Sequence, residues 1–392
     1  MTHDQTDKTA QNTTTQGLRH PVGRAVIDLD AVVENYKILQ SQTKESCKVA
    51  AVVKADGFGL GALALTAALR EQGCNEFFVA TPYEGVQLRE RFKDCNIYVL
   101  NGFFSDEEEL FLHNNLTPVL NSLIEIRAYS AAAKNREIEL PAFLNFNIRM
   151  NRLGLAAAEQ ALILEQPELL EGLAIKGTMS HFACADEPHA ELNEIQFDGF
   201  QKIANHFPDA IKTLSNSSGI FRHATYHFDL VRPGAALYGI NPDPNAENPM
   251  RPVVHVKLPV LRTRLVYAGA TVGYNSTYTF EKDTWIATLS CGYADGLLRS
   301  LSNRGAVYFN GKRCPIRGRI SMDLTTVDLS ALGDKRPEPG DFVELLGETQ
   351  TVDGLAKDAG TIGYEILTNL GSRYQYSYKQ NGKIIDKKAF LS

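Results

Sequence analysis

Eight short runs rich in β-branched and other apolar residues recur between positions 49 and 239. They lie at 49–55, 76–82, 96–102, 116–121, 141–148, 174–182, 211–218 and 227–239, the last reading as a strand only in its first half. Amphipathic or mixed stretches separate them. Residues 62–73 read as a helix ending in a glycine stop, and Leu192, Ile195, Gly199 and Ile203 recur at 3-4-4 spacing, which predicts one buried helical face. Strand and helix alternating eight times predicts an α/β fold, a (β/α)8 TIM-like barrel. A doubly wound open sheet with a few extra strands is the alternative, because the same alternation builds both.

After Pro249 the period changes. Val254, Val256, Leu258 and Val260 alternate at period two, Asn310-Gly311 is a hairpin turn signal between two strand-like runs, and 285–293 and 341–347 also read as strands. The expected organisation is a polar tail over 1–20, a barrel over 21–248 and a mostly β C-terminal domain over 249–392, with the Pro/Asn-rich stretch 241–252 as linker. A chain of 392 residues has room for both units.

Charge and cysteine usage exclude several functions. Lys and Arg number 40 against 46 Asp and Glu, and no basic run stands out, so no nucleic-acid partner is expected. Residues 1–20 have no apolar core of a signal peptide, and no stretch of about 18 apolar residues follows, so no membrane partner is expected either. The six scattered cysteines contain no C-x-x-C, which points to a reducing, cytoplasmic setting without a disulfide framework, and no metal site is expected.

A barrel of this kind does its chemistry where strands end, and the polar residues at the run ends form a coherent set. Lys54 ends the first run, His181 the sixth, Ser217 the seventh and Arg232 the eighth. A lysine at the end of a buried strand has its pKa lowered and its amine freed for attack on a carbonyl; a lysine snorkelling out beside the glycine-rich turn 55–61 is the bland alternative. Asn216-Ser217-Ser218-Gly219 and Pro233-Gly234-Ala235 offer hydroxyls and backbone N–H groups where barrels bind phosphate, although each also reads as an ordinary turn. A lysine plus a phosphate cradle suits pyridoxal phosphate, and a lysine-dependent aldolase shares both features. Tyr274 and Tyr293 sit beside glycines in the β domain, where interface or core tyrosines are equally at home.

The segments Ala51-Val52-Val53-Lys54-Ala55-Asp56-Gly57, Met150-Asn151-Arg152-Leu153-Gly154, Ser180-His181-Phe182, Ser215-Asn216-Ser217, Val231-Arg232-Pro233-Gly234-Ala235, Val272-Gly273-Tyr274, Gly292-Tyr293-Ala294-Asp295-Gly296 and Arg319-Ile320-Ser321-Met322-Asp323 together resemble the fold type III pyridoxal-phosphate enzymes, and within them the alanine racemase family. The matching order runs from about residue 24 to 373.

The resemblance implies that Lys54 carries pyridoxal 5'-phosphate and acts as one acid/base, with Tyr274 of a second subunit as the other. The implied enzyme is a head-to-tail homodimer with shared sites that interconverts L- and D-alanine and so supplies or consumes the peptidoglycan precursor D-alanine. Two groups flanking one carbon are needed because a racemase returns the proton to the opposite face. A phenol is a poor base at neutral pH, and the resemblance supplies help through His181, bonded to both Tyr274 and Arg232. It places Arg232 against the pyridine nitrogen, where a guanidinium only donates and so makes the ring a weaker electron sink. It puts Arg152 on the phenolic oxygen and the substrate carboxylate, and the Met322 N–H on that carboxylate. Ser217, Gly234, Ala235 and Tyr364 become phosphate binders, and Tyr293 narrows an entrance suited to a small amino acid.

Two positions depart from the family pattern. Phe58 replaces a tyrosine whose hydroxyl helps hold the phosphate, and Asn145 replaces a carbamylated lysine that steadies the arginine. An anion such as chloride, or the amide itself, is left to take that role. The competing functions are a racemase of serine or of broader specificity, an amino-acid decarboxylase of the same fold type, and a pyridoxal-phosphate carrier built on the barrel alone. The Gly273-Tyr274 pair speaks against the decarboxylases and the C-terminal domain against the carrier.

Overall fold

The computed structural model describes residues 23–386; the tail expected over 1–20 lies outside them. The first strand, β1 (Arg24–Asp28), leads into the helix Leu29–Gln42, which starts where the Asp28 carboxylate accepts from the Ala31 N–H. The barrel follows. Its strands are β2 (Lys48–Val49) and β3 (Ala51–Val52), which form one interrupted strand, then β4 (Glu76–Val79), β5 (Asn96–Val99), β6 (Thr117–Leu120), β7 (Leu140–Asn145), β8 (Leu173–Met179), β9 (Ile211–Thr213) and β10 (Leu230–Val231).

Strands β3 to β9 pair in parallel in chain order, and β10 pairs in parallel with β2. The ring closes through backbone bonds. Asp229 and Arg232 donate to Lys212 and Ser215 on one side of β10, and Lys48, Ala50 and Val52 donate to Asp229, Val231 and Pro233 on the other. The expected barrel is therefore the fold, and the open sheet is not. Helices such as Ala62–Arg70, Pro82–Arg91, Leu123–Asn135 and Glu191–Ala204 connect the strands.

One helical face differs from expectation. In Glu191–Ala204 the side chains turned inward are Asn193, Gln196, Phe200 and Ile203, while Ile195 is 38% exposed. Hydrogen bonding explains why amides replace aliphatics there. Gln196 donates to the carbonyls of Ile148 and His181 and accepts from the Ala183 N–H, and Asn193 donates to the carbonyls of Cys184 and Glu187. The helix ties down a loop of the barrel mouth, whose backbone groups would otherwise be buried unpaired.

The opposite end of the barrel holds a buried carboxylate. Glu76 accepts from Lys48 Nζ at 2.8 Å, Asn96 Nδ2 at 3.0 Å and the Tyr98 hydroxyl at 2.7 Å. Burial pushes its pKa up, but the bonds from Lys48, Tyr98 and Asn96 outweigh burial and hold it below the ordinary value of 4.5. A depressed carboxylate pKa stabilises the fold fully above the unfolded value and loses that contribution as pH falls through the folded one. Glu76→Ala is expected to cost about 2–4 kcal/mol at neutral pH by stranding its donors. The difference from the parent in urea denaturation should shrink at pH values well below 4.5; a difference constant down to acid pH would contradict the assignment.

The C-terminal half contains β11 (Val254–Val266), β12 (Thr271–Val272), β13 (Tyr278–Thr279), β14 (Thr284–Ser290), β15 (Ala306–Phe309), β16 (Lys312–Pro315), β17 (Leu324–Asp328), β18 (Phe342–Leu346), β19 (Gln375–Gln380) and β20 (Lys383–Asp386). The main sheet runs β16-β15-β18-β11-β1-β19-β20, with β14 joining β11 to β17. A register shift between Val260 and Arg262 bends β11, so its first part pairs with β1 and β18 and its second with β14. The hairpin at Asn310-Gly311 forms with both residues at positive φ, as a two-residue type I′ turn requires. β1 lies between β11 and β19, so the start of the described chain stitches the β domain to the barrel it precedes.

Candidate active site

The chain behind β3 makes an uncommon turn. Ala55, Asp56, Gly57 and Phe58 have φ of 54°, 52°, 63° and 59°, a left-handed helical turn beginning directly after Lys54. Each non-glycine residue there costs about 1–2 kcal/mol, strain of a kind that collects at functional sites. Gly57 is needed twice over: its φ is positive, and a Cβ there would stand 2.2 Å from Leu65 Cδ1. The turn keeps Lys54 at the barrel mouth. Burial first, then the charge of Arg152, lowers the Lys54 pKa, with Glu84 pulling the other way.

Arg232 follows β10 and is almost fully buried. Nη1 donates to Thr213 Oγ1 at 2.5 Å, and Nη2 donates to the Ser180 carbonyl at 2.7 Å and approaches His181 Nδ1 at 3.2 Å. Burial pulls its pKa down to about 9, which leaves it charged at neutral pH. His181 is held well below its ordinary pKa by burial first and then by Arg232, Arg152 and Lys54. The imidazole is therefore neutral, and because Nδ1 accepts from a guanidinium that can only donate, its proton sits on Nε2.

The loops after β9 and β10 are sewn together by one hydroxyl. Ser217 Oγ accepts from the N–H groups of Gly234 at 3.1 Å and Ala236 at 3.2 Å, which leaves its own proton to donate elsewhere. The Ala235 N–H, at the start of the turn Ala235–Tyr238, has no acceptor among the described residues. Gly234 is small for a reason: a Cβ there would meet Phe58 Cζ at 3.0 Å and Val52 Cβ at 3.3 Å.

Arg152 rides on a loop closed by the bridge between Phe146 and Leu155. Asn147 and Asn151 brace it reciprocally, side chain to side chain at 2.9 Å and Asn151 N–H to Asn147 Oδ1 at 2.8 Å. Asn145, at the end of β7, donates to Asn121 Oδ1 at 2.8 Å, and its own Oδ1 has no donor among the described residues.

Lys54, Arg152, His181, Ser217, Arg232, Gly234, Ala235 and Tyr364 all line a single cavity of about 550 Å³. Tyr274, Tyr293 and Met322 do not line it. They sit on the β domain, 71%, 45% and 54% exposed. Their loops touch one another: the Tyr293 N–H donates to the Ser321 carbonyl, the Ala294 N–H to the Met322 carbonyl, and Gly273 packs against the Arg319 backbone. Arg373 braces the same group, pairing bidentately with Asp295 and singly with Asp323. Sequence reasoning missed Thr213, Gln196 and Arg373. Each acts through a contact at least fifteen residues away in the chain, and only the Asp and Arg types hinted at a pair.

A desolvated lysine, a hydroxyl-and-amide cradle at the seventh and eighth strand ends and a buried guanidinium define a barrel enzyme of the lysine-and-carbonyl class. Residues 27–242 match the family model "Alanine racemase, N-terminal domain" and residues 253–378 match "Alanine racemase, C-terminal domain". A catabolic alanine racemase of Agrobacterium fabrum is 45% identical over 92% of this chain and 93% of its own, and an alanine racemase of Rickettsia canadensis 43% over 90% and 98%. Among solved structures, alanine racemase from Bartonella henselae with covalently bound pyridoxal phosphate superposes with a TM-score of 0.88 at 38% identity, covering 92% of this chain and 100% of that one. Biosynthetic alanine racemase from Pseudomonas aeruginosa gives 0.84 at 32%, with the same coverage. The chain belongs to the alanine racemase family.

Proposed function

We propose that the chain interconverts L- and D-alanine as a homodimer, with pyridoxal phosphate held in the barrel mouth and two bases drawn from different subunits. The observation that carries this reading is the separation of the pair: Lys54 lines the cavity, while Tyr274 is 71% exposed on the β domain. A second copy supplies what one chain lacks. The residues fit the cofactor. The Ser217 hydroxyl, the free Ala235 N–H and the space beside Gly234 suit a phosphate, with Tyr364 on the same wall, and Arg232 has an Nε–H left to donate to a ring nitrogen.

When bound, pyridoxal phosphate supplies the electron sink that makes the alpha proton of an amino acid acidic. Lys54 Nζ takes or returns that proton on one face, and the phenol oxygen of the partner's Tyr274 serves the other. His181, neutral and protonated on Nε2, is set to donate to that phenol oxygen and favour its anionic form. Arg152 and the Met322 N–H of the partner subunit orient the substrate carboxylate, Tyr293 narrows the entrance, and an anion such as chloride or the Asn145 amide steadies Arg152. Six unpaired cysteines, five of them buried, support a reducing cytoplasmic setting. No helix among the described residues is long and apolar enough to cross a membrane. The barrel ends at 248 and the β domain begins at 249, with β1 joining the β domain by its pairing with β11 and β19.

The test is chiral chromatography of each L-amino acid after incubation with the protein and pyridoxal phosphate. D-alanine should appear fastest; racemisation of another amino acid with alanine untouched would reassign the substrate, and release of carbon dioxide would reassign the reaction. Phe58 offers a second check. Its ring packs against Tyr238 and Tyr364, with Cζ toward Gly234. Phe58→Tyr puts a hydroxyl at the cradle and should tighten pyridoxal phosphate about five- to tenfold, the worth of one net hydrogen bond. Equilibrium dialysis showing unchanged or weaker binding would mean the ring edge does not reach the phosphate.

A further inference from the structure

The left-handed turn behind Lys54 has backbone bonds of its own, from the Gly57 N–H to the Val53 carbonyl and from the Gly59 N–H to the Ala55 carbonyl, and it is also tied from outside. Three backbone N–H groups converge on the carboxylate of Glu84, in the first turn of the helix Pro82–Arg91. Oε1 accepts from Ala55 at 2.7 Å, and Oε2 accepts from Ala80 at 2.7 Å and Thr81 at 3.3 Å. An ordinary capping box needs only the Thr81 contact. Here that bond is the longest of the three, and the short ones go to the residue next to Lys54 and to the end of the neighbouring barrel strand.

We infer that Glu84 is a positioning residue for the reaction, bridging the Lys54 turn to the end of β4 so that the lysine amine is held at the barrel mouth. This rests on Lys54 being the cofactor-bearing lysine. The chemistry of the clamp requires a carboxylate, because each of its two oxygens faces a donor. An amide of the same shape would turn its NH2 toward one of them, setting donor against donor. The downstream half of the turn has its own tie, Asp56 Oδ1 accepting from the Ala62 N–H at 2.8 Å, so Glu84 secures the end nearer the lysine. The charged groups facing Lys54 are Arg152 and Glu84, with His181 nearby and neutral; Glu84 is the anion among them and favours a protonated nitrogen at Lys54.

The test compares Glu84→Gln with the parent as the full chain loaded with pyridoxal phosphate. Hydrogen exchange over residues 55–59 should quicken by about tenfold or more with the rest of the barrel unchanged. The pH midpoint of the bound cofactor's visible absorbance should move to lower pH, and kcat should fall. Thr81→Ala removes the helix cap but keeps the clamp, and should leave all three readouts at the parent values. Unaltered exchange in Glu84→Gln overturns the inference. So does faster exchange with an unmoved absorbance midpoint and kcat, which would make Glu84 a cap alone, and so does Thr81→Ala reproducing the variant.

If Glu84→Gln does not fold, a second variant carries the test. There Glu84→Asp replaces it: one methylene shorter, its carboxylate cannot reach both Ala55 and Ala80, so exchange at Ala55 should still quicken, and unchanged exchange overturns the inference. Borohydride trapping at a lysine other than 54 would remove the functional reading while leaving the exchange result standing, so the two failures are distinguishable.

Discussion

Mixing two inactive variants should restore activity. In the proposed homodimer Lys54→Ala and Tyr274→Phe each remove one of the two proposed bases, and each variant alone is expected to lose on the order of 10²–10⁴ in kcat. In a mixed dimer one site combines both lesions, and the other combines an intact Lys54 with an intact tyrosine from the opposite chain. Random reassociation makes half the dimers mixed, each with one good site of two, so about a quarter of the parent activity returns. The physical basis is the location of Tyr274, exposed on the β domain and outside the cavity of its own chain. Activity that stays at the sum of the separate variants, after denaturation and joint refolding, would mean that both bases come from one chain.

The second large effect is expected at Arg232. If pyridoxal phosphate sits as proposed, with its ring nitrogen at Arg232, a glutamate there could share a proton with that nitrogen where a guanidinium only donates, and the cofactor would become a stronger electron sink. Arg232→Glu should slow racemisation on the order of 10²-fold and raise the amount of pyruvate formed per racemisation event. The surroundings add to the loss: the carbonyls of Ser180 and Leu214, which now accept from the guanidinium, would face a carboxylate. Replacement by Lys keeps the charge but not the fork that reaches Thr213 and Ser180 together, so it should slow the reaction without raising pyruvate. Equal pyruvate yields from the Glu variant and the parent would detach Arg232 from reaction control.

The eight-fold alternation of runs was readable because the barrel strands β4 to β7 are almost wholly buried and so largely apolar, and the same pattern leaves the polar residues at the run ends conspicuous. Lys54, His181, Ser217 and Arg232 stood out for that reason, and the structure brings all four to one cavity. The alternating valines of β11 were legible for the opposite reason, because a strand with one solvated face writes its burial at period two. The helix Glu191–Ala204 defeated the same logic. Its inward face carries Asn193 and Gln196, and nothing local shows that a loop at Ile148 and another at His181 will need their amides.

By itself the sequence determined the barrel, the β domain and the residue types at the strand ends, since these follow from local periodicity and from the cost of burying a charge. Tertiary structure decided what no window of the chain contains. It placed β1 in the far domain's sheet, folded the residues after Lys54 into a left-handed turn braced by Glu84, and put Tyr274 outside the cavity lined by Lys54. These arrangements depend on hydrogen bonds and packing between segments tens to hundreds of residues apart, and such pairings exist only once the chain has closed on itself.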